Sequence, residues 1–383
     1  MSMTQYYFDH AATTPMRQEV AAAMLAVMTE GPGNPSSMHR YGRNARGHMN
    51  RARDTVASFI GAKPAELTFT SGGTESDNLA IIGGARAMKA KGRNHIITSA
   101  AEHHAVLHAC QSLQSEGFEL TVLPVDSSGQ LSVDDVRDAI TDRTALVSVM
   151  YANNEVGTIQ PIAAIGELVR GHGALFHVDA VQALGSIPIQ VQSLPVDLMS
   201  FSAHKINGPQ GVGALYIASN TSINPIAHGG SQERKRRAGT ENVAGAVGFA
   251  AAVEAAAKDM AAHADRMEQL REHWISLMNA ATDGRIALNG HLTSRLSHIV
   301  NLSFIGIDTE TMLMNLDMAG IAASGGSACT SGSLERSHVL MAMGVVDERL
   351  MSAVRFSFGL GNTLEELSQA AQLIETIVRR VRK

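Results

Sequence analysis

Between Glu66 and Ile217, short apolar runs (LTFT, HIITSA, LTVLPV, ALVSVMYA, ALFHVDA, LMSFSA and VGALYI) alternate with segments long enough for helices. Near-continuous apolar runs of strand length suit strands buried on both faces, and helix-length connections suit crossovers between parallel neighbours. The pattern therefore predicts an α/β fold: a mostly parallel sheet with helices on both faces. From about Gly239 the pattern changes. An Ala-rich helical stretch, Val243 to Met278, is followed by strand-like HIVNLSF, helix-like TETMLMNLDMAG and a final helix from Thr363. These predict a connecting helix leading into a smaller α+β unit. No internal repeat or low-complexity tract interrupts the chain.

A chain of 383 residues, 45% hydrophobic and 17% charged, can bury a large core. Its formal charge of −5 creates no global positive field, so composition argues against nucleic acid or an acidic membrane as partner. No apolar run reaches bilayer-spanning length, and MSMTQYYFDHAATTP lacks a basic stretch followed by an apolar core, so a cytoplasmic location is expected. The basic run within Glu233 to Arg237 has no interleaved aromatics and is expected to be a solvated loop. His103 and His104 are adjacent but lack companion ligands at metal-site spacing, so no metal is expected.

Three segments carry chemistry. LTFTSGGTESDN, Leu67 to Asn78, reads as a strand, a Ser-Gly-Gly turn and a helix start; its exposed N–H groups suit a phosphate, although the same residues would serve as a plain turn with Thr74 as N-cap. ALFHVDAVQALG ends a strand at Asp179, where a carboxylate either caps the next turn or meets a cation such as a protonated pyridine nitrogen. LMSFSAHKINGPQGVG places Lys205 just beyond a buried strand. There it is either a solvent-facing lysine or a restrained amine able to attack an aldehyde. Of the two cysteines, Cys110 lies at helical spacing and reads as core filling, whereas Cys329 lies in the small-residue run SGGSACTSGS and reads as a loop thiol.

FDHAATTP, GNPSSMH, TSGGTESDN, EHHA, NNEVG, HVDAVQ, SAHKINGPQGVG, GTEN, SGGSACTSGS and VRFSFG occur in this order across nearly the whole chain. Together they resemble the cysteine desulfurases of the class V aminotransferase group. The resemblance implies the pyridoxal-phosphate transferase fold of aspartate aminotransferase-like enzymes. It also implies a large cofactor domain over residues 16–255 and a small domain of residues 1–15 with 256–383, arranged as a homodimer.

It further implies pyridoxal 5'-phosphate bound covalently to Lys205, with Asp179 at the ring nitrogen and His103 over the ring face, moving protons. Asn154 and Gln182 are expected near the ring hydroxyl, and Gly73, Thr74, Ser202 and His204 at the phosphate. Thr240 matches a position that reaches the neighbouring subunit's phosphate. Arg355 is expected to grip the carboxylate of L-cysteine, with Asn154 beside it. Cys329 would take the sulfur as a persulfide and pass it to a protein acceptor, such as an iron-sulfur scaffold or a protein of tRNA thiolation or DNA sulfur modification. One departure stands out: many members with this type of cysteine loop follow RFSFG with a second arginine, where this chain has Leu360.

Overall fold

The computed structural model describes residues 4–326 and 336–382. All seven apolar runs contribute strands to one sheet: β2 (Leu67–Thr70), β3 (His95–Ser99), β4 (Glu119–Leu123), β5 (Thr144–Met150), β6 (Leu175–Asp179), β7 (Leu198–Ser202) and β8 (Gly213–Ile217), in the order β2-β8-β7-β6-β5-β3-β4. Neighbours from β4 to β7 pair in parallel, and β8 runs antiparallel to both β7 and β2. Every residue of β5 and β7 is buried, which explains why these segments read as unbroken apolar runs rather than alternating ones.

Helix Gly73–Lys89 packs across the centre of this sheet. At Gly84 an added Cβ would come within 3.2–3.4 Å of Leu146, Leu175 and Leu198, so the missing side chain lets the helix lie close against three strands. This close seat fixes where the helix begins, and therefore where its N-terminal N–H groups point.

The C-terminal part contains a three-stranded antiparallel sheet of β9 (Ile286–Asn289), β10 (Ile299–Phe304) and β12 (Ala353–Ser357), in the order β12-β10-β9. The N-terminal strand β1 (Tyr6–Tyr7) pairs in parallel with β11 (Ile321–Ala322). Helix Val243–Ala281 joins the two parts: Phe249, Ala252 and Val253 belong to the core beside the large sheet, whereas Met267, Leu270, Trp274 and Met278 belong to the core with β10 and β12. The last helix, Leu364–Val381, opens with a reciprocal cap in which Glu366 N donates to Thr363 Oγ1 and Thr363 N donates to Glu366 Oε2. None of the described helices is long and apolar enough to cross a membrane.

The expectation of a solvated loop at Glu233 to Arg237 holds for Arg234 and Lys235, which are exposed, and needs correction at Glu233. Glu233 is buried and receives Arg53 on both carboxylate oxygens, at 2.6 and 2.7 Å, together with Phe69 N at 3.1 Å. These bonds hold Glu233, Arg234 and Lys235 at positive φ (43°, 56° and 65°), a region that residues with side chains rarely enter.

At the carboxyl ends of the strands, Glu102 ties β3 to β5: its Oε1 accepts from Ser99 Oγ (2.7 Å) and Met150 N (2.9 Å), while the buried Oε2 has no partner among the described residues. Burial pushes this carboxyl up to about 8. Its folded-state proton affinity exceeds that of the unfolded chain, so its stabilising contribution is present below the ordinary glutamate range and is lost as pH rises towards 8. In Glu102→Gln, which keeps the acceptor without an ionisable proton, the thermal midpoint relative to the native protein is expected to improve by about 3 °C between pH 5.5 and pH 8.5. Differential scanning calorimetry at the two pH values checks this, and an unchanged difference would contradict the assignment of a protonated Glu102.

Candidate active site

In open α/β sheets the carboxyl ends of the strands form the ligand-binding edge. Here that edge borders a cavity of about 190 Å³. Gly73 and Thr74 follow β2, His103 follows β3, and Met150, Ala152 and Asn154 come from the end of β5 and beyond. Asp179 ends β6, Ser202 ends β7, and His204 and Lys205 stand just after it. Gln182 and Arg355 complete the group of sequence-predicted residues gathered around this one space.

Two of the sequence-predicted residues are not in this lining. Thr240 lies away from this cavity, in a cleft with Thr70, Ser71, Glu233 and Arg237. Cys329 lies outside the described residues. Cys110 is buried in helix His104–Ser112, and burial pushes its thiol up, which makes it unreactive.

The turn before helix Gly73–Lys89 is shaped for close approach. The N-cap is Gly72, not Thr74; its φ is 157°, and an added Cβ would meet nothing within 4 Å. At Gly73 a Cβ would stand 2.7 Å from Val181 Cγ2, so a larger residue would disturb the wall of the cavity. Glu75 locks the turn by accepting from Ser71 N at 2.7 Å and from Arg237 Nε at 2.8 Å. The first N–H groups of the helix carry the positive end of its dipole, with Ser202 and His204 lining the same cavity.

On the other side, Asp179 Oδ1 accepts from Val181 N at 2.9 Å, and burial raises its carboxyl above the usual range. Two residues earlier on the same face of β6, His177 is held between Ser148 Oγ (2.8 Å) and Ser200 Oγ (2.9 Å), and burial lowers it to about 3. It is therefore neutral and cannot balance Asp179. Asp77, whose Oδ1 lies 3.6 Å from His177 Nε2, is raised by burial first and by Asp179 second. Lys205 and His103 favour the charged form of Asp179, and a protonated pyridine nitrogen in the cavity would give the buried carboxylate a direct cationic partner.

The N-terminal segment closes the remaining side. Lys205 Nζ donates to Ala11 O and, at 2.8 Å, to Ala12 O; Gln182 Nε2 donates to Ala11 O at 2.9 Å. His204 Nδ1 lies 3.1 Å from Thr13 Oγ1, and burial lowers this imidazole to about 4, so it is neutral at physiological pH. His103 Nδ1 accepts from Ala105 N at 3.1 Å, which leaves the ring proton of the neutral form on Nε2. Arg355 Nη1 donates to Asn154 O and Nη2 to Asp9 Oδ1, both at 2.8 Å.

The arrangement thus combines an amine, an anion-binding helix start, a buried aspartate and a buried guanidinium. These groups fit pyridoxal phosphate and an amino-acid carboxylate. The sequence reading assigned no role to Asp9 or Asp77, although both lie within the motifs FDHAATTP and TSGGTESDN; their positions within those motifs were the only signal available.

The family model described as Aminotransferase class-V matches residues 6–369. The putative cysteine desulfurase IscS 1 of Bacillus subtilis (strain 168) is 48% identical over 382 residues, covering 99% of this chain and all of that protein. Among solved structures, a NifS-like protein superposes with a TM-score of 0.92 at 38% identity, covering 98% of this chain and 100% of that one. SspA in complex with cysteine gives a TM-score of 0.82 at 34% identity, over 93% of this chain and 99% of that one. With the motifs, the fold and the cavity in agreement with these matches, the chain belongs to the class V aminotransferase family, and within it to the cysteine desulfurases.

Proposed function

We propose that the cavity binds pyridoxal 5'-phosphate and L-cysteine, releases L-alanine, and delivers the sulfur to Cys329 as a persulfide. The observation that carries this reading is the convergence of Lys205, Asp179, the start of helix Gly73–Lys89 and Arg355 on one space. When bound, pyridoxal phosphate supplies an electron sink for negative charge developing at the amino acid's α-carbon.

Lys205 would bind the cofactor's aldehyde, its amine already restrained by the carbonyls of Ala11 and Ala12. Asp179 would hold the ring nitrogen, and its burial makes that pairing stronger than it would be in water. Gly73, Thr74, Ser202 and His204 would hold the phosphate, with Thr240 serving the phosphate of a neighbouring subunit. Asn154 and Gln182 would flank the ring hydroxyl. His103, its proton on Nε2, would stack on the ring and carry a proton to or from the substrate.

Arg355 would take the substrate carboxylate. Its buried Nε has no partner among the described residues, which supports this role, because a side-on carboxylate would satisfy it together with Nη2. Sulfur transfer is balanced without an external oxidant: Cys329 Sγ loses its proton and bonds to the sulfur of cysteine, the Cβ–S bond breaks with its electron pair left on the β-carbon, and that carbon takes up a proton to give the methyl group of alanine. The persulfide then passes to an acceptor protein.

A homodimer is supported by apolar side chains left in solvent on one face. Leu25 and Met28 of helix Gln18–Thr29 are 61% and 68% exposed, and Met28 and Tyr41 line a cleft with Val243 and Ala244, close in sequence to Thr240.

Borohydride reduction of the holoprotein is expected to fix the cofactor on the peptide containing Lys205, as read by mass spectrometry, and Lys205→Ala to lower alanine formation by about 10²–10⁴-fold. Label at any other lysine would refute the assignment. Cys329→Ser is expected to retain the visible absorbance of the bound cofactor while sulfur release from L-cysteine drops to background. Full sulfur release by this variant would instead point to a lyase activity on the same fold.

A further inference from the structure

Arg355 lies in the middle of β12 and is 1% exposed. Its closest charged neighbour is Asp9, whose Oδ1 accepts from Nη2 at 2.8 Å. Asp9 is held in place from several sides. Its Oδ2 accepts from Ser324 Oγ at 3.0 Å, and Ser324 is itself paired with Arg355 through backbone bonds in both directions. On either side of Asp9, Ser357 N donates to Phe8 O at 2.8 Å and His10 N donates to Ser357 O at 3.3 Å. The carboxylate therefore cannot swing clear of the guanidinium without breaking this pairing.

Asp9 acts on Arg355 in two opposing ways. It orients the guanidinium plane, which favours substrate binding, and it offsets the positive charge, which disfavours it. The orienting effect is redundant, because Asn154 O also holds Nη1 at 2.8 Å and the surrounding strand buries the side chain. The charge effect is not redundant, because no other acidic side chain is hydrogen-bonded to Arg355 among the described residues. An arriving α-carboxylate meets an arginine already matched by an anion, and settles beside that anion in a site where water screens little.

We infer that Asp9 is a resident competitor for the amino-acid carboxylate: by keeping Arg355 neutralised, it makes the site hold L-cysteine loosely and release L-alanine readily. Asp9 is thus a positioning residue that acts through Arg355, and the inference rests on the reading of Arg355 as the carboxylate anchor. The same geometry supplies a restraint on which ligands benefit. Only molecules carrying an α-carboxylate feel the competition, so amines without one are indifferent to Asp9.

The test uses the holoprotein with Asp9→Asn, which can still accept from Nη2 but carries no charge. The KM for L-cysteine and the inhibition constant of L-alanine are both expected to fall by about tenfold. Saturating L-alanine is expected to raise the thermal midpoint of the variant more than that of the native protein, since the ligand restores the missing anion. Ethylamine should compete equally with both. Asp9→Ser also removes the charge and should change affinity in the same direction, so the test stands if the amide is poorly tolerated.

An unchanged or higher KM in both variants, with cofactor absorbance intact, would overturn the inference. The double variant Asp9→Asn with Arg355→Gln removes both charges and leaves no orphaned acid. If it binds L-alanine as tightly as Asp9→Asn alone, Arg355 is not the anchor and the underlying reading fails. If it binds weakly while Asp9→Asn shows no gain over the native protein, the anchor stands and only the competitor role fails.

Discussion

A sheet with both faces covered has only its strand ends at which to gather polar chemistry, and this constraint organises the molecule. The interior strands are mostly apolar because helices pack on both sides, and the polar side chains they do carry, such as His177 with Ser148 and Ser200, are hydrogen-bonded to one another. Charged and hydrogen-bonding side chains accumulate where the strands stop: Glu102 and His103 beyond β3, Asp179 at the end of β6, Ser202, His204 and Lys205 around the end of β7. Burial there makes each ionisable group depend on its neighbours. Buried carboxyls are driven towards their protonated forms and buried imidazoles towards neutrality, and of the groups around Asp179 it is Lys205 and His103 that favour its charged form. A cationic ring and a lysine amine complement such a site well.

The large sheet was legible because its strands announce themselves locally. An uninterrupted apolar run bounded by turn residues has few other uses in a chain of this length. The chemistry-bearing motifs were legible for a related reason: Asp179 and Lys205 each follow such a run directly, so locating the strand also locates the residue. The family resemblance then supplied roles that residue types alone left open between a cap and a cofactor contact, or between a surface lysine and a reactive one.

Other features were illegible because they depend on contacts between distant parts of the chain. Asp9 meets Arg355 across 346 positions, and Arg53 meets Glu233 across 180. Neither pairing has a period or a local signature. Glu233 misled the charge reading for this reason: within a run of basic residues it looks solvated, yet its carboxylate faces inward to a buried arginine. The start of helix Gly73–Lys89 was displaced by two residues because Gly72, rather than a hydroxyl side chain, serves as its cap. Thr240 lies in a cleft of its own with Thr70, Ser71, Glu233 and Arg237, a placement set by the fold around the Glu233 turn and by nothing in the local GTEN motif.

The placement of the first segment also bears on how the molecule is made. Tyr6 and Tyr7 pair with Ile321 and Ala322, Asp9 with Arg355, and Ala11 N with Ser357 Oγ. Synthesis on the ribosome runs from the N-terminus, so the large sheet's strands can emerge and pair well before those late partners exist. Tyr6 to Asp9 must wait, unpaired, until nearly the whole chain has been translated, whereas Ala11 to Thr14 can meet Gln182, His204, Lys205 and Asn207 about halfway through. A truncated product ending before β12 would keep Lys205 and its bonds to Ala11 and Ala12 yet lack Arg355 and the Ser357 hydroxyl that receives Ala11 N, so the pocket is complete only when translation has run almost to its end.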